Sequence, residues 1–249
     1  MDISVTPIEG IKEKLKRAHE DIVNLQVEIT RFFKESEHPI VGNEDFQVLK
    51  QKAKYHHGRR LPLRFSVLAG EVLYHLRSSL DHMAWLLAKP EIREKTPVRI
   101  EFPIFCERFS KDGVSSLKGK IEIFASDAAQ KIIERIQPYN GREPLNDILW
   151  LIHDLDRKAK HRELPLVVTR FDFGSLKLNA LAGFYIDNRP IPLPDHVAMH
   201  IQKHMNFSPV VMLSDLPKGQ TESIIPTLRS FEREVRRVMK LLLRELAKC

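Results

Sequence analysis

Residues 62–88, PLRFSVLAGEVLYHLRSSLDHMAWLLA, restrict the fold more tightly than any other part of the chain. At about 100° per residue, Ala69, Leu73, Leu76, Leu80, Met83, Ala84 and Leu87 gather on one side of a helix. Pro62 suits the first turn, where its missing N–H goes unused. Lys89-Pro90 ends the element, because a residue before proline avoids the helical region. A long helix with a full apolar stripe has to be covered by other elements along its length. A helical bundle follows.

Three further helices have the period to supply that cover. Ile11, Leu15, Ala18, Ile22, Leu25, Ile29 and Phe32 recur at three- and four-residue steps and predict a helix from about Ile8 to Glu35, stopped by His38-Pro39. Leu145, Ile148, Leu149, Ile152 and Leu155 predict one from about Pro144 to His161. Ile225, Leu228, Val235, Val238, Leu242 and Leu246 predict a last one from about Glu222 to Ala247. A short helix near 126–136 has Ser126-Asp127 as its N-cap, and Gln137 to Gly141 reads as a turn. Residues 40–61 read as a long polar connection, and 90–113 as a loop with a short extended piece at FPIF.

After Glu163 the period changes. LPLVVTRFDF and SLKLNALAGFYID are rich in β-branched and aromatic residues and flank Gly174-Ser175, which predicts a hairpin. Pro190, Pro192 and Pro194 predict a stiff connection, and FSPVVML near 207–213 a third strand. Helices, then strands, then a helix describe an α+β fold in one domain spanning 1–249. Its helical core is expected at about 8–162 plus 222–247. Its small antiparallel sheet, at about 164–213, precedes the C-terminal helix.

Two cysteines, Cys106 and Cys249, exclude a disulfide framework and fit a reducing compartment. The first residues carry charges where a signal peptide needs an apolar core, and no apolar run is long enough to span a bilayer. These features predict a cytoplasmic protein without a membrane partner. The net charge of +7 is concentrated. Residues 50–64, KQKAKYHHGRRLPLR, hold six Lys or Arg, two His and no acid, and a second cluster runs from Arg157 to Arg162. Such clusters suit a polyanion through counterion release, and they also occur as plain solvated faces.

Opposite the apolar stripe of the 62–88 helix, Glu71, His75, Ser78 and His82 line up, with Tyr74, Arg77 and Asp81 on the flank. Histidine moves protons near neutral pH, and arginine holds phosphate through parallel hydrogen bonds. The bland alternatives are an Arg77–Asp81 ion pair across one turn, histidines packed with a satisfied ring nitrogen, and Trp85 and Trp150 as core or interface aromatics. A metal site from Glu71, His75, His82 and His153 is a third reading. The nearby arginine and the lack of a Glu-x-x-His pair on a second helix weigh against it, so neither metal nor cofactor is expected. No phosphate-cradling glycine loop, zinc ribbon or Gly-x-Ser-x-Gly elbow is present.

Arg77-Ser-Ser-Leu-Asp-His82 is an Arg-x4-His string inside a helix, and it resembles the active-site motif of the HEPN superfamily. Members of that family are small helical bundles, among them metal-independent ribonucleases that act as dimers, and others are non-catalytic binding or oligomerisation modules. The resemblance implies an HEPN-like bundle and an endoribonuclease in a homodimer. Arg77 and His82 would act on the phosphate and the attacking 2′-hydroxyl, supported by Glu71, His75, Ser78 and Asp81. Lys52, Lys54, Arg59, Arg60, Lys160 and Arg162 are then the residues expected to hold the RNA strand. GEVLYHLRSSLDHMAW and LWLIHDLDRKAKHR are also similar to strings in a group of uncharacterised bacterial proteins, in which an acid often stands where this chain has Ala159.

Overall fold

The computed structural model describes residues 7–35, 48, 51, 55, 61–95, 100–109, 118–173, 176–179, 183–186, 189–191 and 208–246. It is α+β. Helices α1 (Pro7–Lys34), α2 (Leu63–Leu87), α3 (Pro90–Lys95), α4 (Lys118–Ile121), α5 (Asp127–Arg135) and α6 (Ile148–His161) come first. Strands β1 (Leu166–Phe173), β2 (Leu176–Asn179), β3 (Gly183–Ile186), β4 (Arg189–Ile191), β5 (Ser208–Leu213) and β6 (Glu222–Ser223) follow, and helix α7 (Ile224–Leu246) comes last. The single domain expected from the sequence resolves into two compact units, to both of which α1, α2 and α7 contribute.

The first unit comprises Met1–Ile22, Ala69–Glu163 and Leu228–Cys249. All seven residues of the α2 apolar stripe are buried, together with Ile11, Leu15, Ala18 and Ile22 of α1 and Leu149, Ile152 and Leu155 of α6. Ser126 caps α5 by accepting from the Ala129 N–H, as expected. Helix α6 starts later than its apolar period suggests, because Asp147 accepts from the Leu149 N–H and so fixes the first turn there. Pro144–Asn146 forms a separate 3-10 turn.

The FPIF segment is not paired into a sheet. Most of its backbone hydrogen bonds run to side chains, apart from the Phe105 carbonyl, which accepts from the Tyr139 N–H at 3.3 Å. Buried Gln137 accepts from Phe105 N–H at 3.0 Å and donates from Nε2 to the carbonyls of Pro103 at 2.9 Å and Ile133 at 3.0 Å. One amide thus satisfies two stretches of chain that would otherwise carry orphaned polar groups into the core.

The second unit comprises Val23–Leu68 and Leu164–Thr227. The buried aromatic of α1 is Phe33 rather than the expected Phe32, which is half-buried and meets both Phe33 and Phe65 edge-on. The sheet runs β4-β3-β2-β1-β5-β6, with each neighbouring pair antiparallel. The expected hairpin is β1–β2, closing at Phe173↔Leu176. The stretch read as one strand after Gly174-Ser175 is two, β2 and β3, paired at Asn179↔Gly183. Alternating residues across 175–187 hid the reversal from a period-2 reading. Pro190, expected in a connection, lies in edge strand β4, where its missing N–H breaks no central ladder. Pro192 and Pro194 lie outside the described residues.

Gln137→Leu removes three hydrogen bonds and leaves the Phe105 N–H and the Pro103 carbonyl without that partner. The expected loss is about 2–3 kcal/mol, read from the midpoint of urea denaturation. A loss near zero would show that FPIF does not depend on this amide.

Candidate nucleic-acid interface

Two residues five apart lie about 140° apart around a helix, so a helix with one buried side separates them. Arg77 and His82 divide in that way. Arg77 is 4% exposed, whereas His82 lies at the surface. The Arg77 guanidinium donates from Nη1 to the Phe102 carbonyl at 3.0 Å, and its Nη2 lies 3.0 Å from Asp81 Oδ1. The same Asp81 oxygen accepts from Phe102 N–H at 2.8 Å. These three bonds form a closed latch between α2 and the FPIF segment. The expectation that Arg77 reaches a phosphate beside His82 is therefore corrected. Its charge is buried among protein partners and does not open onto a cleft with His82. Burial raises the Asp81 carboxyl above its usual range, with Arg77 and the Phe102 N–H pulling in the opposite direction.

The polar stripe of α2 faces outward against α1. Glu71 and His82 are exposed, and His75 and Ser78 are half-buried. Asp21 of α1 is fully buried opposite His75, with its Oδ2 3.9 Å from His75 Nε2. Arg17 Nη2 lies 3.1 Å from Asp21 Oδ1 as a charge partner, although neither carboxylate oxygen receives a well-aligned hydrogen bond. Burial raises the Asp21 carboxyl, with the Arg17 charge opposing it, and burial lowers His75, with the Asp21 charge opposing it. Burial, and after it the Lys14 charge, lowers His82 as well.

Between these groups stands Tyr74, a large ring 47% exposed. Lys14 Nζ of α1 lies 5.4 Å from its centroid and Lys160 Nζ of α6 lies 6.0 Å from it. The His75 ring meets it edge-on at 5.4 Å. Three helices thus bring two ammonium groups to one exposed aromatic. Helix α6 packs close to α2 here, since a Cβ added at Gly70 would stand in van der Waals contact, 3.4 Å from Ala159 Cβ.

The basic cluster at the end of α6 is partly neutralised within its own helix. Asp154 holds Lys158 at 2.7 Å and Arg157 at 2.9 Å, and buried Asp156 holds Lys160 at 2.7 Å. Arg162 is exposed just beyond the helix. Lys52, Lys54, Arg59 and Arg60 lie outside the described residues. Trp85 is 38% exposed with the Arg93 guanidinium 5.0 Å from its ring, and Trp150 is half-buried beside His153.

Among the described residues no group of three or more His, Cys, Asp or Glu is gathered closely enough to hold a metal ion. The Cys106 thiol, pushed up to about 12 by burial, is not a nucleophile at neutral pH. No described helix is long and apolar enough to cross a membrane. Comparison of the chain with protein-family models, curated proteins and solved structures gave no match.

Two predictions follow from the buried side of α2. Asp81→Ala strands the Arg77 charge and is expected to lose about 3 kcal/mol in chemical denaturation. A loss below about 0.5 kcal/mol would dissolve the latch. The second concerns His153, which burial first and the Arg77 charge second hold below its usual value. The folded state then binds fewer protons than the unfolded state below about pH 6.5, so this residue removes stability as pH falls through that value. His153→Gln is expected to lose less Tm than the parent between about pH 7.5 and pH 5.5. Equal losses would mean that His153 titrates alike in both states.

Proposed function

We propose that this chain is an RNA-binding helical module that holds its ligand on the Lys14–Tyr74–Lys160 patch and does not cleave it. The observation that carries this reading is the exposed Tyr74 ring set between ammonium groups from two other helices. Cations with an aromatic surface between them suit a nucleic-acid strand, in which phosphates alternate with flat bases. His82, on the polar stripe of the same helix and with its charged form disfavoured, offers a neutral donor and acceptor rather than another cation.

Support also comes from the charge balance. The chain carries +7 overall, and residues 50–64 hold six Lys or Arg without an acid. Lys52, Lys54, Arg59 and Arg60 enter the proposal by charge alone. Lys160 and Arg162 enter from the exposed end of α6. Glu71 opposes binding, standing one turn before Tyr74 on the exposed face. The resemblance to HEPN proteins is compatible with a non-catalytic module, and it brings a homodimer into the proposal.

Catalysis by the Arg77–His82 pair is set aside because Arg77 is already bonded inside the protein. An RNase built on this pair needs both side chains at one phosphate.

Binding of a fluorescent RNA by the purified protein, followed by anisotropy across a salt series, tests the proposal. Affinity is expected to fall steeply with salt and to weaken with Lys14→Ala and Lys160→Ala. Glu71→Gln is expected to tighten binding two- to threefold, on the order of a surface charge effect. In the same tubes with EDTA, no RNA cleavage is expected. Salt-insensitive binding, or none, would overturn the reading. Cleavage lost in folded His82→Ala would restore the nuclease.

A further inference from the structure

We infer that the RNA held by this patch is single-stranded, with an unpaired base stacked on the Tyr74 ring and neighbouring phosphates on Lys14 and Lys160. The inference rests on the RNA-binding reading and adds the class of ligand.

Position is the first ground. Tyr74 projects from the middle of a long, well-anchored helix whose adjacent residues Leu73 and Leu76 are buried, so its backbone is fixed by the core. The ring meets the His75 ring edge-on at 5.4 Å. A ring on a fixed backbone loses little freedom when a base lies against it. A loop aromatic would first have to be ordered.

Reach is the second ground. A cation–π contact extends to about 6 Å from the ring centroid. Lys14 at 5.4 Å and Lys160 at 6.0 Å stand near that outer limit, so the ring binds neither ammonium tightly. A phosphate offers each a full negative charge in place of a quadrupole. Lys160 also keeps its 2.7 Å bond to Asp156, which holds its ammonium beside the ring instead of letting it range through solvent. Both ammonium groups therefore meet the phosphates that flank the base from beside the ring.

Shape selects the strand. In duplex RNA the base faces are stacked on each other, and an exposed ring on a helix surface meets only the backbone. In a single strand every base presents a free face, whatever its identity, so the site should be tolerant of sequence. The carboxylates nearest the ring do not contest this arrangement equally. Asp156 is taken by Lys160, Asp21 is fully buried beside Arg17, and Glu71 is exposed on the face that meets the strand.

The experiment uses the full chain and an RNA carrying 2-aminopurine, prepared as a single strand and as the duplex of the same sequence. Both are titrated at one fixed low salt concentration. The single strand is expected to bind about tenfold more tightly than the duplex, with quenching of the 2-aminopurine emission on binding. Tyr74→Phe is expected to keep both the preference and the quench. Tyr74→Ala and the apolar but non-aromatic Tyr74→Leu are expected to lose both, with circular dichroism unchanged from the parent. Equal affinity for the two RNAs, weakened by Lys14→Ala, would overturn stacking while leaving RNA binding intact. A quench retained in Tyr74→Leu would also overturn it. Failure of both RNAs to bind would remove the RNA reading and this inference together.

Discussion

A guanidinium taken out of water costs several kcal/mol unless every face of it finds a partner, and much of the first unit is arranged around meeting that condition at Arg77. Its partners are a carboxylate one turn along the same helix and a carbonyl far along the chain, at Phe102. Because Asp81 also accepts from the Phe102 N–H, the segment carrying Phe102 and Ile104 is tied to α2 by both of its backbone polarities. Those two side chains are buried, so the latch positions apolar area as well as charge. It also fixes the rotation of α2. With Arg77 inward, Tyr74, Ser78 and His82 turn toward α1 or solvent. The same placement that withdraws Arg77 from phosphate chemistry therefore puts an aromatic on display.

Much of the helical framework could be read from period alone. The apolar stripe of α2 is buried residue for residue, and Ser126 caps α5 where a Ser-Asp pair before an apolar run implies it. The misreadings have local causes. The apolar period puts Ile225 in the core stripe of α7, but Ile224 takes that position because the helix begins immediately after β6 and its phase is set there. The sheet was harder, since β2, β3 and β4 are short and the reversal after Asn179 carries no Asn-Gly or Asp-Gly signal.

The candidate site was only half legible. A helical wheel places Glu71, His75, Ser78 and His82 on one stripe, and they do lie there. The wheel cannot decide whether a flank residue such as Arg77 is buried, because the deciding group is the Phe102 carbonyl. Nor does it show Lys14 and Asp21, which reach the stripe through the register of α1 against α2. That register is a tertiary fact written in no single window of sequence. Lys160 was visible as part of a basic run, but its use depends on Asp156 orienting it, while Asp154 takes up the charge of Arg157 and Lys158.

Among the described residues the sheet ends on one side in β4, which contains Pro190, and on the other in β6, which is two residues long. Another chain trying to extend the sheet by backbone pairing finds at β4 a position with no N–H to give, whereas β6 pairs with Met212 and Leu213 alone and does not reach the Ser208–Val211 part of β5. A hairpin-rich segment is a place where proteins of this size are prone to self-templated association. Among the described residues the β4 border is ill suited to such growth, so an assembly that lengthened this sheet would not begin by pairing at Pro190.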